Sequence, residues 1–305
     1  MVNTGITLKS VISFRVIFLY LLPTRKTHLF PILYGILSAA SWGAADFIGG
    51  IATKRTAAYR VLYLAELASL IPFLALALIL REPFPPITDL LWGALASLVG
   101  LAGLTLLYRA LADGKMSITA PISALLAAFV PVIFGIFTIG IPSATTLTGF
   151  GLAFGAVWLI SQTDALKWRF TFTDLRLPFF SGIFFGFYFI LMHNATQHAF
   201  YWPLVSARLA GFVAFGLYAL ITRQPALPPR ELWGYSIING LIDISGNAFF
   251  VLSAQAGRMD VAAVLGALYP ASTVLLAWIF LKEKISAIQT LGIALAFVAI
   301  ILFTI

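Results

Sequence analysis

The chain has 305 residues, 61% of them hydrophobic and 10% charged, with three histidines and no cysteine. A soluble domain carries about 25% charge, so this composition excludes a water-soluble fold, and the lack of cysteine excludes disulfides, thiolate zinc sites and thiol catalysis. The net charge of +8 does not read as a nucleic-acid surface, because Lys and Arg stand singly or in pairs between apolar runs, where they set topology and reach lipid headgroups.

Met1 to Phe30 contains an apolar stretch, Val11 to Leu22, interrupted by Arg15 and ended by Pro23. It is short for a span of roughly 20 residues. Residues 1–30 therefore read as an interfacial or disordered arm, with an extra helix or a signal-like segment as alternatives. From Pro31 the apolar runs are regular, at 31–51, 58–80, 88–109, 116–139, 144–162, 177–197, 201–222, 231–254, 259–281 and 285–304. Each can cross about 30 Å of hydrocarbon as a helix. The alternating ten-residue segments of a membrane β-barrel are not seen. The expected fold is all-α and integral to a membrane, with about ten transmembrane helices.

The chain repeats itself. Gly257 to Phe303 falls on Gly114 to Ile160 after a shift of 143 positions with no gap, matching Gly257 to Gly114, Met259 to Met116 and Gly292 to Gly149. Ala207-Arg208-Leu209-Ala210 in the seventh run matches Ala65-Glu66-Leu67-Ala68 in the second. Two units of five helices follow, 31–162 and 177–305, joined by a polar linker over 163–176. An odd number of helices per unit places the copies in opposite orientations, giving a 5+5 inverted repeat. Counting Lys and Arg puts the linker in the cytoplasm and both ends of the ten-helix unit outside.

Ionisable residues inside spans are costly and mark function. Those well inside are Asp46, Glu66, Arg208 and Asp243. In the eighth run Asn239, Asp243 and Asn247 recur at steps of four, forming one stripe on one helix face. It reads either as the wall of a cavity or as a ladder gluing helices together. The matching face of the third run has Gly93, Ser97, Gly100 and Gly103, which would give room where the other half gives polar contacts. In the first run Ser38, Trp42 and Asp46 share a face. Asp46 falls toward the far end of the run, where it reads equally as an interfacial carboxylate or a site residue, and Trp42 lies deeper than an aromatic-belt residue should. Glu66 and Arg208 occupy equivalent positions with opposite charge. They either neutralise each other or face a pathway, and direct pairing requires both to lie near the midplane.

Pro121 and Pro131 are expected to break the fourth span and Pro270 the ninth, a paired interruption that would expose backbone to a ligand. Ser123 and Tyr269 are the candidate side chains there. The spacings Gly182-x3-Gly186, Gly151-x3-Gly155 and Gly292-x3-Ala296 suit close helix contact, within the chain or in a homodimer.

Ser41-Trp42-Gly43, Asp46-Phe47, the Ala-Arg-Leu-Ala of the seventh run and Leu281-Lys282-Glu283-Lys284-Ile285-Ser286 followed by Gln289 and Gly292 resemble, together with the repeat, the EamA-type family of the drug/metabolite transporter superfamily. The resemblance spans roughly Pro31 to Ile305. It implies a secondary carrier of small metabolites, often amino acids or related compounds moved outward, in a cell membrane. Half one departs from the family pattern with Gly140 where half two has Glu283. Relatives are drawn with both ends in the cytoplasm, against the charge count, so orientation stays open. The expected carrier works by alternating access around a midplane site between the repeats. Trp42, Tyr188 and Tyr269 would wall the substrate, Ser123, Asn239, Asp243 and Asn247 would contact it, and Asp46, Glu66, Arg208 or Asp243 would carry a proton or form a charge pair. The expected partners are a small-molecule substrate and the lipid bilayer, with no cofactor, metal or nucleic acid. The rival readings are a non-transporting membrane module and an intramembrane enzyme.

Overall fold

The computed structural model describes residues 29–112, 116–162 and 172–305. The expected N-terminal arm, up to position 28, and residues 163–171 of the linker lie outside the described residues. Every regular element among the described residues is helical: α1 (Leu29–Thr53), α2 (Ala58–Ile79), α3 (Ile87–Ala112), α4 (Met116–Thr138), α5 (Ala144–Ile160), α6 (Phe172–Ala195), α7 (Tyr201–Thr222), α8 (Trp233–Ala256), α9 (Met259–Gly266), α10 (Tyr269–Leu281) and α11 (Ala287–Thr304). Among the described residues, eight segments are long and apolar enough to cross a membrane, the pair α9 and α10 counting as one, and Ile122–Thr138 and Ala144–Ile160 are shorter apolar helices. Several boundaries move outward, among them the start of α1, at Leu29 rather than 31, the end of α3, at Ala112 rather than 109, and the start of α6, at Phe172 rather than 177.

The repeat is visible in how helices start and stop. Ser143 caps α5 by accepting from the Thr146 amide, and Ser286 caps α11 with a capping box to Gln289. A hydroxyl here satisfies one of the amides left open at a helix start. These two serines are equivalent under the 143-residue shift. Arg81 and Arg223, just after α2 and α7, take the same left-handed conformation, φ 51° and 53°.

Packing follows the same symmetry. α1 lies along α8 and α6 along α3; α2 meets α8 and α7 meets α3; α4 lies on α6, as α9 and α10 lie on α1. Two pairs are their own mirror partners, α2 with α7 and α5 with α11. Between α5 and α11 the symmetry reaches single residues. A Cβ on Gly149 would stand 2.5 Å from the Phe303 ring, and one on Gly292 would stand 2.8 Å from Ile160, whose positions are again equivalent.

Small residues let these helices touch. A Cβ on Gly240 of α8 would lie 2.2 Å from the Ala65 carbonyl oxygen, so α2 and α8 meet backbone to backbone. Gly182 and Gly186 of α6 pack on Ser123, Leu126 and Val130 of α4, inside the chain, whereas nothing lies within 4 Å of Gly151. Buried residues form an apolar core, and large side chains such as Phe137, Ile79 and Ile221 are exposed on the outside. In lipid this arrangement costs nothing, since the hydrocarbon is as apolar as the core.

The paired interruption is not there. α4 runs from Met116 to Thr138 through both its prolines, as α2 and α6 do through Pro72 and Pro178. Proline removes one intrahelical bond, which a membrane helix supported by its neighbours tolerates. Only half two breaks. α9 ends at Gly266, Ala267 and Leu268 form a turn, and Pro270 opens α10, where its missing amide proton would have had no helical partner.

Candidate substrate cavity

A cavity of about 240 Å³ lies between the two units, near the lower end of small-molecule sites, which run about 300–1,000 Å³. Its walls come from α1, α2, α3 and α4 of half one and α6, α7, α8 and the α9–α10 break of half two. Of the expected residues, Trp42, Asp46, Glu66, Tyr188 and Arg208 line it, as do Asn239, Asp243, Asn247 and Tyr269.

Ser123 does not line it. Its hydroxyl lies 2.9 Å from that of Ser181, which donates to the Gly103 carbonyl at 2.8 Å, so it ties α4 to α6 and α3. The sequence signal, a hydroxyl two residues after Pro121, does not distinguish a cavity from a helix contact.

At the centre stands Arg208. Its Nη1 is 3.3 Å from both oxygens of Glu66, and its Nη2 donates to Asp243 Oδ2 at 2.7 Å. Glu66 and Arg208 side chains keep 9% and 11% of their exposure, Asp243 34%. Charges this deep persist only when paired and hydrogen-bonded. Asn247 extends the network, donating from Nδ2 to Asp243 O and Oδ2 at 2.9 and 3.2 Å, and accepting from the Tyr188 hydroxyl. Asn239 instead donates to the Ala45 carbonyl at 2.7 Å. The stripe on α8 is thus both wall and fastening. Arg208 Nε is buried without a hydrogen-bond partner.

Glycines make room for this chemistry. A Cβ on Gly211 would come within 2.8 Å of the Glu66 carboxyl carbon, and one on Gly49 within 2.9 Å of the Asn239 amide nitrogen. The Trp42 indole is held between Gly246 and Gly266, each of which would place a Cβ 2.7 Å from the ring. Sequence reasoning missed these cradles, because Gly211 and Gly266 look like any small residues of a membrane helix. Ser97 and Gly100 of α3 line the cavity as expected, while Gly93 and Gly103 serve close approach to α7 and α6.

Asp46 lines the cavity and is exposed to it. At the end of the cavity toward the α1–α2 turn, Gly50, Thr53 and Leu62 are exposed or half-buried, whereas Met192 and Leu204 at the other end are 1% exposed. At the face of the α8–α9 turn the halves are fastened together. Ser253 donates to the Pro31 carbonyl at 2.6 Å, and Arg258 Nη2 donates to the Gly140 carbonyl at 3.0 Å and pairs with fully buried Asp260 at 2.7 Å.

Two five-helix units enclosing a polar, ion-paired cavity define a multi-pass helical membrane protein built around a space between its halves. Residues 29–162 and 176–305 each match the model of the EamA-like transporter family. The chain belongs to that family, a family of membrane transporters of the drug/metabolite type, and the resemblance carried by Trp42, Arg208 and the Lys282 to Gly292 segment stands. An uncharacterized protein of Methanocaldococcus jannaschii is 25% identical over 131 residues, 43% of this chain and 93% of the relative. That relative is therefore about the size of one repeat. A solved crystal structure shares the fold with a TM-score of 0.71 over 89% of this chain and 95% of the other, at 16% identity.

Proposed function

We propose that the chain is a secondary carrier of a small polar metabolite, an amino acid or a related compound, which it exports across the cell membrane by alternating access. One observation carries the reading: the cavity is walled by both halves, and its central charges, Glu66 from one and Arg208 and Asp243 from the other, meet across their boundary. A rocking of one half against the other changes access to such a site from one face to the other. The fastening of the halves through Pro31–Ser253 and Gly140–Arg258, beside a cavity lined toward the α1–α2 turn by Gly50 and Thr53, fits one closed and one open face. A transporter family also weighs against the enzyme reading.

The test is counterflow in proteoliposomes. Vesicles loaded with one unlabelled amino acid or amine should accumulate the labelled compound transiently, and Asp243→Asn should abolish the overshoot. If no compound that raises the melting temperature of the protein gives an overshoot, the carrier reading is wrong.

A further inference from the structure

We infer that the group recognised in this cavity is an organic cation, an amine without a carboxylate, and that Asp46 is its counter-charge. The inference deepens the proposed carrier function and rests on it only for the claim that the bound amine is then moved.

The argument starts with the charges. Among the described lining residues there are three carboxylates, Asp46, Glu66 and Asp243, and one cation, Arg208. Arg208 is already engaged by both oxygens of Glu66 and by Oδ2 of Asp243. Glu66, 7% exposed and backed by Gly211, faces the guanidinium rather than open space. The Glu66–Arg208 pair is neutral, and Asp243 shares its cation. What is left over is negative.

Asp46 holds that excess. It forms no hydrogen bond or ion pair with any described residue, and it is exposed to the cavity. A carboxylate that faces a cavity and has no partner among the described residues attracts a cation, and a bound cation lowers the cost of holding that charge in a span. Asp243 adds to the field, with Oδ2 held and a third of its side chain open. Aromatic faces complete the surroundings. Trp42 stands one helical turn before Asp46, and Tyr188 and Phe185 also line the cavity. Ring faces attract cations, more strongly when desolvated. An anion finds no free positive charge among these residues. A zwitterion can place its amine at Asp46, but its carboxylate must either reach the buried Arg208 Nε or displace Glu66 or Asp243 from the guanidinium.

The test uses matched triads on the purified full chain. For isobutyl, benzyl and indolylmethyl side chains, the amine, the amino acid and the corresponding carboxylic acid are titrated by thermal shift, since a ligand of the folded state raises its midpoint. We expect at least one amine to shift the midpoint, its amino acid and acid to shift it tenfold less at equal concentration, Asp46→Asn to weaken amine binding at least tenfold, and Asp46→Glu to restore most of it. Asp46 forms no hydrogen bond or ion pair with a described residue, so both variants should melt near the parent. The inference is overturned if no amine binds, if an amino acid or acid binds as well as its amine, or if Asp46→Asn leaves amine affinity unchanged. Uptake of the ligands separates the two readings: an amine that binds at Asp46 but never crosses sinks the carrier and spares the cation site, and an amino acid that crosses does the reverse.

Discussion

Arg208 lies 3.3 Å from both carboxylate oxygens of Glu66, the residue at the equivalent position of the other repeat. A twofold axis in the membrane plane sends each residue to a mirrored depth. Two equivalent residues can touch only where they are close to that axis, so this contact places the axis between α2 and α7, with the cavity's charges beside it.

The first prediction concerns that contact. Removing one partner of a buried ion pair leaves an uncompensated charge and costs about 3–5 kcal/mol. Arg208→Gln leaves Glu66 and Asp243 both without their cation, and should lower stability by that order. Glu66→Gln alone should cost less, because Asp243 still holds Arg208. Denaturant unfolding of the two single variants and the double variant in detergent measures the coupling. Additive losses would mean the three groups are not energetically one network.

Glycine substitutions should rank by what the new methyl meets. Gly240→Ala drives a Cβ to 2.2 Å from the Ala65 carbonyl and should separate α2 from α8. Gly246→Ala presses on the Trp42 ring, which Gly266 blocks from behind, and overpacking of this kind costs about 1–3 kcal/mol. Gly151→Ala meets nothing within 4 Å and should be neutral or stabilising by up to about 1 kcal/mol through helix propensity. Melting temperatures in one detergent test the order Gly240, Gly246, Gly151.

Ser123 and Asn247 are both buried polar residues but should behave differently. Ser123→Ala removes one hydroxyl bridge between helices and should cost about 1 kcal/mol with the transport rate unchanged. Asn247→Leu strips the Tyr188 hydroxyl and Asp243 of a shared partner and should cut ligand affinity tenfold or more. Equal effects of the two on affinity would mean that the Tyr188–Asn247–Asp243 chain has no part in binding.

Gln289→Ala should be a pure stability variant. Gln289 closes the capping box on Ser286 and donates to the Ile160 carbonyl at 3.2 Å, so its loss should cost about 0.5–2 kcal/mol. Binding should not change, because Gln289 is not among the cavity residues. The segment that most marks the family in sequence is thus occupied with joining α11 to α5. That is why it says nothing of the substrate.

Sequence periodicity was enough for the ten spans, since apolar length is set by the bilayer itself, and the ungapped repeat was enough for the symmetry. The α8 stripe was legible because three polar residues at steps of four must share a face. Whether that face met water or another helix was not, and Asn239, which does both, shows that the two readings were never exclusive. Proline misled: the same residue type leaves α4 unbroken and begins α10, and residue type alone does not distinguish the two. The pairing of Glu66 with Arg208 needed the geometry of α2 against α7, which no local pattern encodes.

The contact across the axis also bears on how such a chain can arise. In a symmetric assembly of two identical single-repeat proteins, a residue on the twofold meets its own copy, so Glu66 would face a second glutamate or Arg208 a second arginine at about the same 3.3 Å. Like charges that close in a membrane cannot both stay ionised at tolerable cost. Joining two copies end to end in one chain removes the constraint of identity and lets the two sides of the axis become acid and base. A duplicated chain, unlike an assembly of identical copies, can keep a full ion pair at its own centre of symmetry.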